Sequence, residues 1–198
     1  HFGVPTLFST GLIEQREAAL DLSSLRVALA SGGPASNELV QAVEEEICTD
    51  FRVAYSLTET SSVVSMTGPD DPPEKRLHTV GRPLPGVEVK VLDNAGEQLP
   101  VESIGEIAVR GPGVMLGYYR QPGETRNVKR EDGFLLTGDL GMLDEEGYLH
   151  LVGRRREVII RDGFSVYPRE VEYRLQAHPA VREAAVVGVP DDILGEAI

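Results

Sequence analysis

Thr58 and Glu59 stand side by side just after the apolar run 51–55. A threonine hydroxyl can hydrogen-bond a phosphate oxygen. A glutamate can ligate magnesium, which prefers hard oxygen ligands and phosphates. The plainer reading is that the pair caps a helix. Asp139 closes the phrase Thr137-Gly138-Asp139. A carboxylate after a flexible glycine can accept from both hydroxyls of a ribose, although the phrase alone reads as an ordinary turn. Arg154, Arg155 and Arg156 run together before Glu157. Guanidinium groups can hold a phosphate through bidentate hydrogen bonds. The plainer reading is a solvated turn between strands. The histidines, at 1, 78, 150 and 178, are scattered, so no metal cluster is expected. The chain has no GxxxxGK phosphate loop and no serine in a GxSxG elbow, which argues against an α/β-hydrolase.

These residues need elements to position them. The spacing predicts a helix over 12–20 and a buried strand over 25–30, followed by a tight turn at Ser31-Gly32-Gly33-Pro34. Ser36 is placed to cap a helix over 37–48, with Leu39, Val40, Val43 and Ile47 on one face. Strand, helix and the next strand at 51–55 make a βαβ unit, whose strands are parallel. Ligands bind at the carboxyl ends of such strands. Here those ends carry Ser31, Gly32 and Gly33 beside Tyr55, Ser56, Thr58 and Glu59. Segment 67–85 is rich in proline and polar residues and reads as a long surface loop. Val87, Val89 and Val91 then alternate with Glu88 and Lys90, a half-buried strand. Further strands at 104–110 and 149–152 suggest a small barrel or curled sheet, with 137–139 as a loop between them. After the arginines, 158–160 reads as a strand, 161–163 as a turn, and Pro168 opens a helix with Val171 and Leu175 facing inward. Pro179 stops that helix, and 181–189 reads as a strand.

Bulk properties narrow the class. The chain has 198 residues, enough for one or two domains with a core. Its net charge of −13 argues against a general grip on nucleic acid, so phosphate binding would need local arginines. The lone cysteine, Cys48, excludes a disulfide framework and a cysteine-based zinc site and suits a reducing, cytoplasmic setting. No apolar run approaches the roughly 20 residues of a membrane helix. The first residue is His1, directly before the apolar phrase FGVPTLF, and the last are GEAI, just after a turn. The sequence is therefore expected to be a piece of a longer protein, with material missing at both ends.

Six phrases occur in order: YSLTETS, GRPLPGVEVKVLD, GEIAVRGPGVMLGYY, LLTGDLG, GYLHLVGRRREVII and GFSVYPREVE. In that order they resemble the acyl-adenylate-forming enzymes (AMP-dependent synthetases and ligases), most of all the medium- and long-chain fatty acyl-CoA synthetases. The resemblance spans essentially the whole chain. It implies an α/β fold: the C-terminal part of a large AMP-binding domain over 1–152, with a parallel βαβ sheet and a curled, barrel-like sheet. A hinge linker over 153–157 and the start of a small α+β domain over 158–198 follow. It implies a two-step reaction, in which a carboxylic acid and ATP give acyl-AMP and the thiol of CoA then displaces AMP. By resemblance, Ser31, Gly32 and Gly33 line the adenine pocket and Tyr55 packs on the adenine ring. Thr58 contacts the α-phosphate, Glu59 holds Mg2+, and Asp139 and Arg154 meet the ribose. Ser56 lies at the wall of the acyl site, Arg156 at the hinge, and Gly163 in the loop lining the CoA channel.

The chain also departs from that pattern. Ser56 replaces a usual glycine, Val53 a frequent polar residue near the adenine amine, Asp162 a frequent glycine and Glu157 a frequent aspartate. The family's phosphate loop would precede His1 and its adenylation lysine would follow Ile198, so the chain by itself is expected not to complete the reaction. Alternative readings are an adenylation domain that loads a carrier protein, an aryl-CoA ligase, and a degenerate member that binds a nucleotide or acyl ligand without turnover. Acyl chain length, peripheral membrane contact and homodimerisation stay open.

Overall fold

The computed structural model describes residues 1–178, 180–181 and 183–198, and the backbone alone of Ser62. The first sheet opens with β1 (Phe2–Gly3), α1 (Pro5–Ala18), β2 (Ala28–Ser31), α2 (Asn37–Glu46) and β3 (Phe51–Leu57). β1, β2 and β3 are parallel, with Ser31 opposite Ala54. The first helix starts earlier than the pattern over 12–20 predicts, because Pro5 suits a first turn. It ends at Ala18, with Ala19 left-handed. Ser36 caps α2 as expected: its Oγ accepts from the Leu39 N–H at 3.2 Å. Val40 and Val43 are buried with Phe8, Leu12 and Phe51, and Leu39 and Ile47 pack at the margin. Phe8 and Phe51 meet edge to face at 4.9 Å. Burying each such side chain contributes roughly 1.5–3 kcal/mol. Cys48 lies just past α2, buried, with its Sγ 3.6 Å from the Leu25 carbonyl.

β4 (Ser62–Met66), α3 (Pro73–His78) and β5 (Arg82–Pro83) follow, and both strands run antiparallel to their neighbours. Segment 67–85 is thus not the surface loop its composition predicts. Thr67 and Thr79 are buried. Their hydroxyls accept from the N–H groups of Val53 and Gly81 at 2.9 and 3.0 Å. Polar residues go inside here because each one pairs with a main-chain group.

The second sheet holds β6 (Glu88–Leu92), β7 (Gly105–Arg110), β8 (Leu135–Leu143) and β9 (Leu149–Arg154), in that order and all antiparallel; α4 (Pro122–Val128) sits between β7 and β8. It is an open sheet, not a closed barrel. Residues 137–139, expected as a loop, lie within β8. A shared core of Tyr55, Val64, Ile107, Val109 and Leu149 joins the two sheets.

Beyond a 3₁₀ turn at Arg155–Glu157, the third sheet contains β10 (Ile159–Arg161), β11 (Phe164–Val166), β12 (Val189–Asp191) and β13 (Gly195–Ala197), in the order β11-β10-β13-β12. Asp162 and Gly163 make the two-residue hairpin between β10 and β11, both with positive φ, 50° and 79°. That is the turn that matches the strand twist, and it favours these two residue types. α5 (Pro168–Gln176) begins at the predicted proline. Leu175 is exposed rather than facing inward, while Val171 is half-buried. The strand expected over 181–189 is confined to its far end, since β12 starts at Val189. Upstream, the Val186 N–H is taken by Glu172 Oε1 at 2.8 Å instead of by a ladder partner. The expected stop at Pro179 falls outside the described residues.

Candidate functional site

The carboxyl ends of β2 and β3 lie side by side and open the site. Ser31 is buried, and its hydroxyl donates to the Ala54 carbonyl at 2.9 Å. Its proton being used there, Ser31 accepts from Ser56 Oγ at 2.7 Å. Gly32, with φ 82°, turns the chain toward α2, and it and Gly33 are exposed. Past Leu57 the chain makes a 3₁₀ turn, Thr58–Thr60, with Thr58 exposed and Glu59 half-buried. The pair therefore does not cap an α-helix. Glu59 Oε1 accepts from the Tyr118 hydroxyl at 2.9 Å, and the Glu59 carbonyl accepts from the Met115 N–H at 2.8 Å. Among the described residues, the other Glu59 oxygen has no hydrogen-bond donor.

Asp139 is delivered by a bulge. β7 pairs Ala108 with Leu136 and Glu106 with Leu140, so Ile107 alone faces 137–139. Bulges re-aim side chains and are common beside active sites. The Thr137 hydroxyl donates to the Ile107 carbonyl at 2.8 Å and accepts from the Asp139 N–H at 3.1 Å. Gly138 takes φ 73°, a backbone that resists side chains. Its N–H donates to Glu106 Oε1 at 3.1 Å. Asp139 is then buried, with Oδ2 accepting from the Tyr55 hydroxyl at 2.5 Å and Oδ1 paired with Arg154 Nε at 2.9 Å. Burial pushes the Asp139 carboxyl up from its usual range, against the Tyr55 hydrogen bond and the Arg154 charge. Burial and the Asp139 charge push the Tyr55 phenol far up, so it stays a donor. Each carboxylate oxygen keeps a further lone pair for a ligand hydroxyl.

The three arginines do not form one phosphate clamp. Arg154 goes to Asp139 and Arg155 to Glu106, with Asn94 Oδ1 3.3 Å away. Arg156 is largely exposed, 3.9 Å from Glu157. Arg154 ends β9 while Arg155 and Arg156 lie in the 3₁₀ turn that follows, so the three side chains leave the chain in different directions. An open cleft of about 590 Å³ lies between Thr137, Gly138 and these arginines. A smaller one of about 200 Å³ adjoins it, lined by Leu57, Glu59, Glu106 and Tyr118. Arg169 of α5 is mostly withdrawn from solvent, and burial pushes its guanidinium down while the Glu172 and Asp139 charges act the other way. Ser31 is thus bonded to Ser56, and Tyr55 and Arg154 to Asp139, the two sets meeting where Tyr55 and Ser56 adjoin on β3, with Glu59 on the adjoining turn. Gly163 stands apart at an exposed hairpin tip. Glu106 and Tyr118, both within GEIAVRGPGVMLGYY, join the site without a sequence signal of their own.

Residues 1–119 match the family model described as AMP-binding enzyme. The chain belongs to the AMP-binding enzyme family. Residues 170–198 match a second model, the AMP-binding enzyme C-terminal domain. The bovine medium-chain acyl-CoA ligase ACSF2, mitochondrial, is 37% identical over 199 residues, covering 100% of this chain and 32% of its own length. The amide bond synthetase McbA of Marinactinospora thermotolerans superposes with a TM-score of 0.90 at 41% identity, over 99% of this chain and 40% of its own. The o-succinylbenzoate CoA synthetase of Bacillus subtilis, in complex with its acyl-adenylate intermediate, gives 0.86 at 35% identity, over 98% and 39%. The chain therefore spans about a third of the length of the curated relatives it matches. AMP-binding enzymes thus share the arrangement of sheets described above. No helix among the described residues is long and apolar enough to cross a membrane.

Proposed function

We propose that this chain is part of an ATP-dependent fatty acyl-CoA ligase. The supporting observation is the Asp139 bulge, held by Tyr55 and Arg154 beside the Ser31 turn. An oxygen of the carboxylic acid attacks the α-phosphorus of ATP, and the bond to the bridging oxygen breaks to release pyrophosphate. The CoA thiol then attacks the acyl carbon and AMP leaves. In this reading Asp139 and Arg154 hold the ribose, Ser31, Gly32 and Gly33 line the adenine pocket, and Tyr55 packs on the base. Thr58 meets the α-phosphate and Ser56 borders the acyl group. Positioned donors and cations suit a reaction that moves charge around phosphorus.

Glu59 fits a magnesium site as a single carboxylate. Magnesium commonly takes one or two protein carboxylates and completes its shell with water and substrate phosphates. Bound there, it would neutralise phosphate charge. Tyr118 fixes one Glu59 oxygen and leaves the other for the ion. We further assign 1–152 to a large domain, 153–157 to a hinge about Arg156, and 158–198 to a small domain whose Gly163 loop approaches the CoA channel. β9 reaches Arg154, so the flexible part narrows to the 3₁₀ turn. A cytoplasmic setting goes with the unpaired Cys48 thiol.

The test is ATP–pyrophosphate exchange by the full-length protein across a panel of carboxylic acids, followed by acyl-CoA formation. Exchange stimulated by fatty acids and a CoA thioester product are expected. Exchange without thioester, but with an amide when amines are offered, would move the reading toward the McbA type of acceptor. Absence of exchange with every acid would reject the ligase reading.

A further inference from the structure

Glu106 lies in a phrase to which the ligase reading gives no chemical role. It is a buried carboxylate on β7, 8% exposed. Its oxygens have separate tasks. Oε1 accepts from the Gly138 N–H at 3.1 Å, and Oε2 accepts from Arg155 Nη1. Gly138 is the left-handed residue of the bulge, directly before Asp139. Arg155 directly follows Arg154, the partner of Asp139. One carboxylate therefore ties the two chain segments whose next residues form the Asp139–Arg154 pair. The arginine also neutralises a charge that would be costly to bury alone.

We infer that Glu106 is a positioning residue, which holds the 137–139 bulge and Arg155 so that Asp139 and Arg154 meet the nucleotide together. This rests on the reading of Asp139 as the ribose ligand. The chemistry demands a carboxylate. Both groups facing it are donors, and an ionised carboxylate accepts at both oxygens. A glutamine accepts at one atom only and points an N–H₂ donor at the other partner. Glu106→Gln therefore keeps the shape of the side chain but breaks one of its two ties.

The experiment compares Glu106→Gln and Asp139→Asn with the wild type in the full-length protein. AMP affinity is read by titration calorimetry, and the KM values for ATP and for the acid by pyrophosphate exchange. Glu106→Gln is expected to weaken AMP about tenfold, the effect of losing one hydrogen bond of ordinary strength. The ATP KM should rise in proportion, while the acid KM stays within about twofold. If Asp139→Asn weakens AMP and Glu106→Gln does not, the inference falls and the ribose site stands. If neither does, both fall. An equal rise in both KM values would mean general loosening and would also overturn it. Should Glu106→Gln fail to fold, hydrogen exchange on the wild type decides. The Gly138 amide should exchange slowly, and more slowly with AMP bound. Fast exchange, or no response to AMP, overturns the inference.

Discussion

Asp139 gains its place from neighbours that are far away in sequence. Tyr55 lies on another sheet, and Arg154 reaches it across the β8–β9 ladder. Asp139→Ala should raise the ATP KM with little change in acyl preference. The bonds at stake are charge-assisted, worth on the order of 1–3 kcal/mol. Unchanged ATP affinity on titration would reject the ribose assignment. Tyr55→Phe leaves a buried Asp139 oxygen without its donor. It should cost about 1–3 kcal/mol of stability in denaturant unfolding. At this scale the sequence showed residue types well. Thr58, Glu59 and Asp139 stood out because their chemistry is specific. Tyr118 and Glu106 did not, because their meaning lies in partners 59 and 32 residues away. The arginine run is a turn between strands, as its plainer reading has it, but no local pattern shows that its three identical side chains go to three different places.

Elements with local signals were the legible ones. Ser36 marked the start of α2, Pro168 the start of α5, and Asp162-Gly163 a hairpin. β8 is illegible locally because its bulge carries turn residues, Thr137 and Gly138, inside a strand. α3 is illegible locally because its support is tertiary. Lys75 Nζ meets Asp144 and Glu146 at 2.7 and 2.8 Å, and the His150 ring also reaches Asp144 at 3.0 Å. Burial alone would raise the Asp144 carboxyl. Hydrogen bonds from Lys75, His150 and the Tyr148 amide outweigh it and hold the group well below the usual carboxylate range. A carboxyl lowered in the folded state adds stability above its unfolded value, near about 3.9, and loses it as pH falls through the folded one. The Tm gap between wild type and Asp144→Asn should therefore be widest near neutrality and narrow below about pH 4. A gap that stays constant on acidification would show that the clasp does not act through this ionisation.

At the scale of the molecule, the third sheet follows one short turn, and α5, which packs on β9, is also tied back to α2 through space. Asn37 Nδ2 donates to the Tyr173 hydroxyl at 2.7 Å, beside His78 Nδ1 at 3.2 Å. If Arg156 is the hinge, Arg156→Pro should separate the half-reactions. Proline locks φ near −65°, which a 3₁₀ turn accepts and another backbone state would not. Acyl-AMP formation should survive while thioester formation falls at least about tenfold, roughly 1.4 kcal/mol of barrier. Pyrophosphate exchange and acyl-CoA yield in one preparation give the ratio. Equal loss of both would mean misfolding or direct ligand contact, and no loss would move the pivot to Glu157. Cys48 bears on a different kind of motion. It is the one thiol of this sequence and is sealed beneath the end of α2. An alkylating reagent can reach it only when that corner opens, so its rate of modification counts openings of the βαβ unit. The chain carries its own clock for breathing at the amino ends of β2 and β3, the end of the sheet away from Ser31 and Tyr55, and a ligand that steadies the whole βαβ unit should slow it.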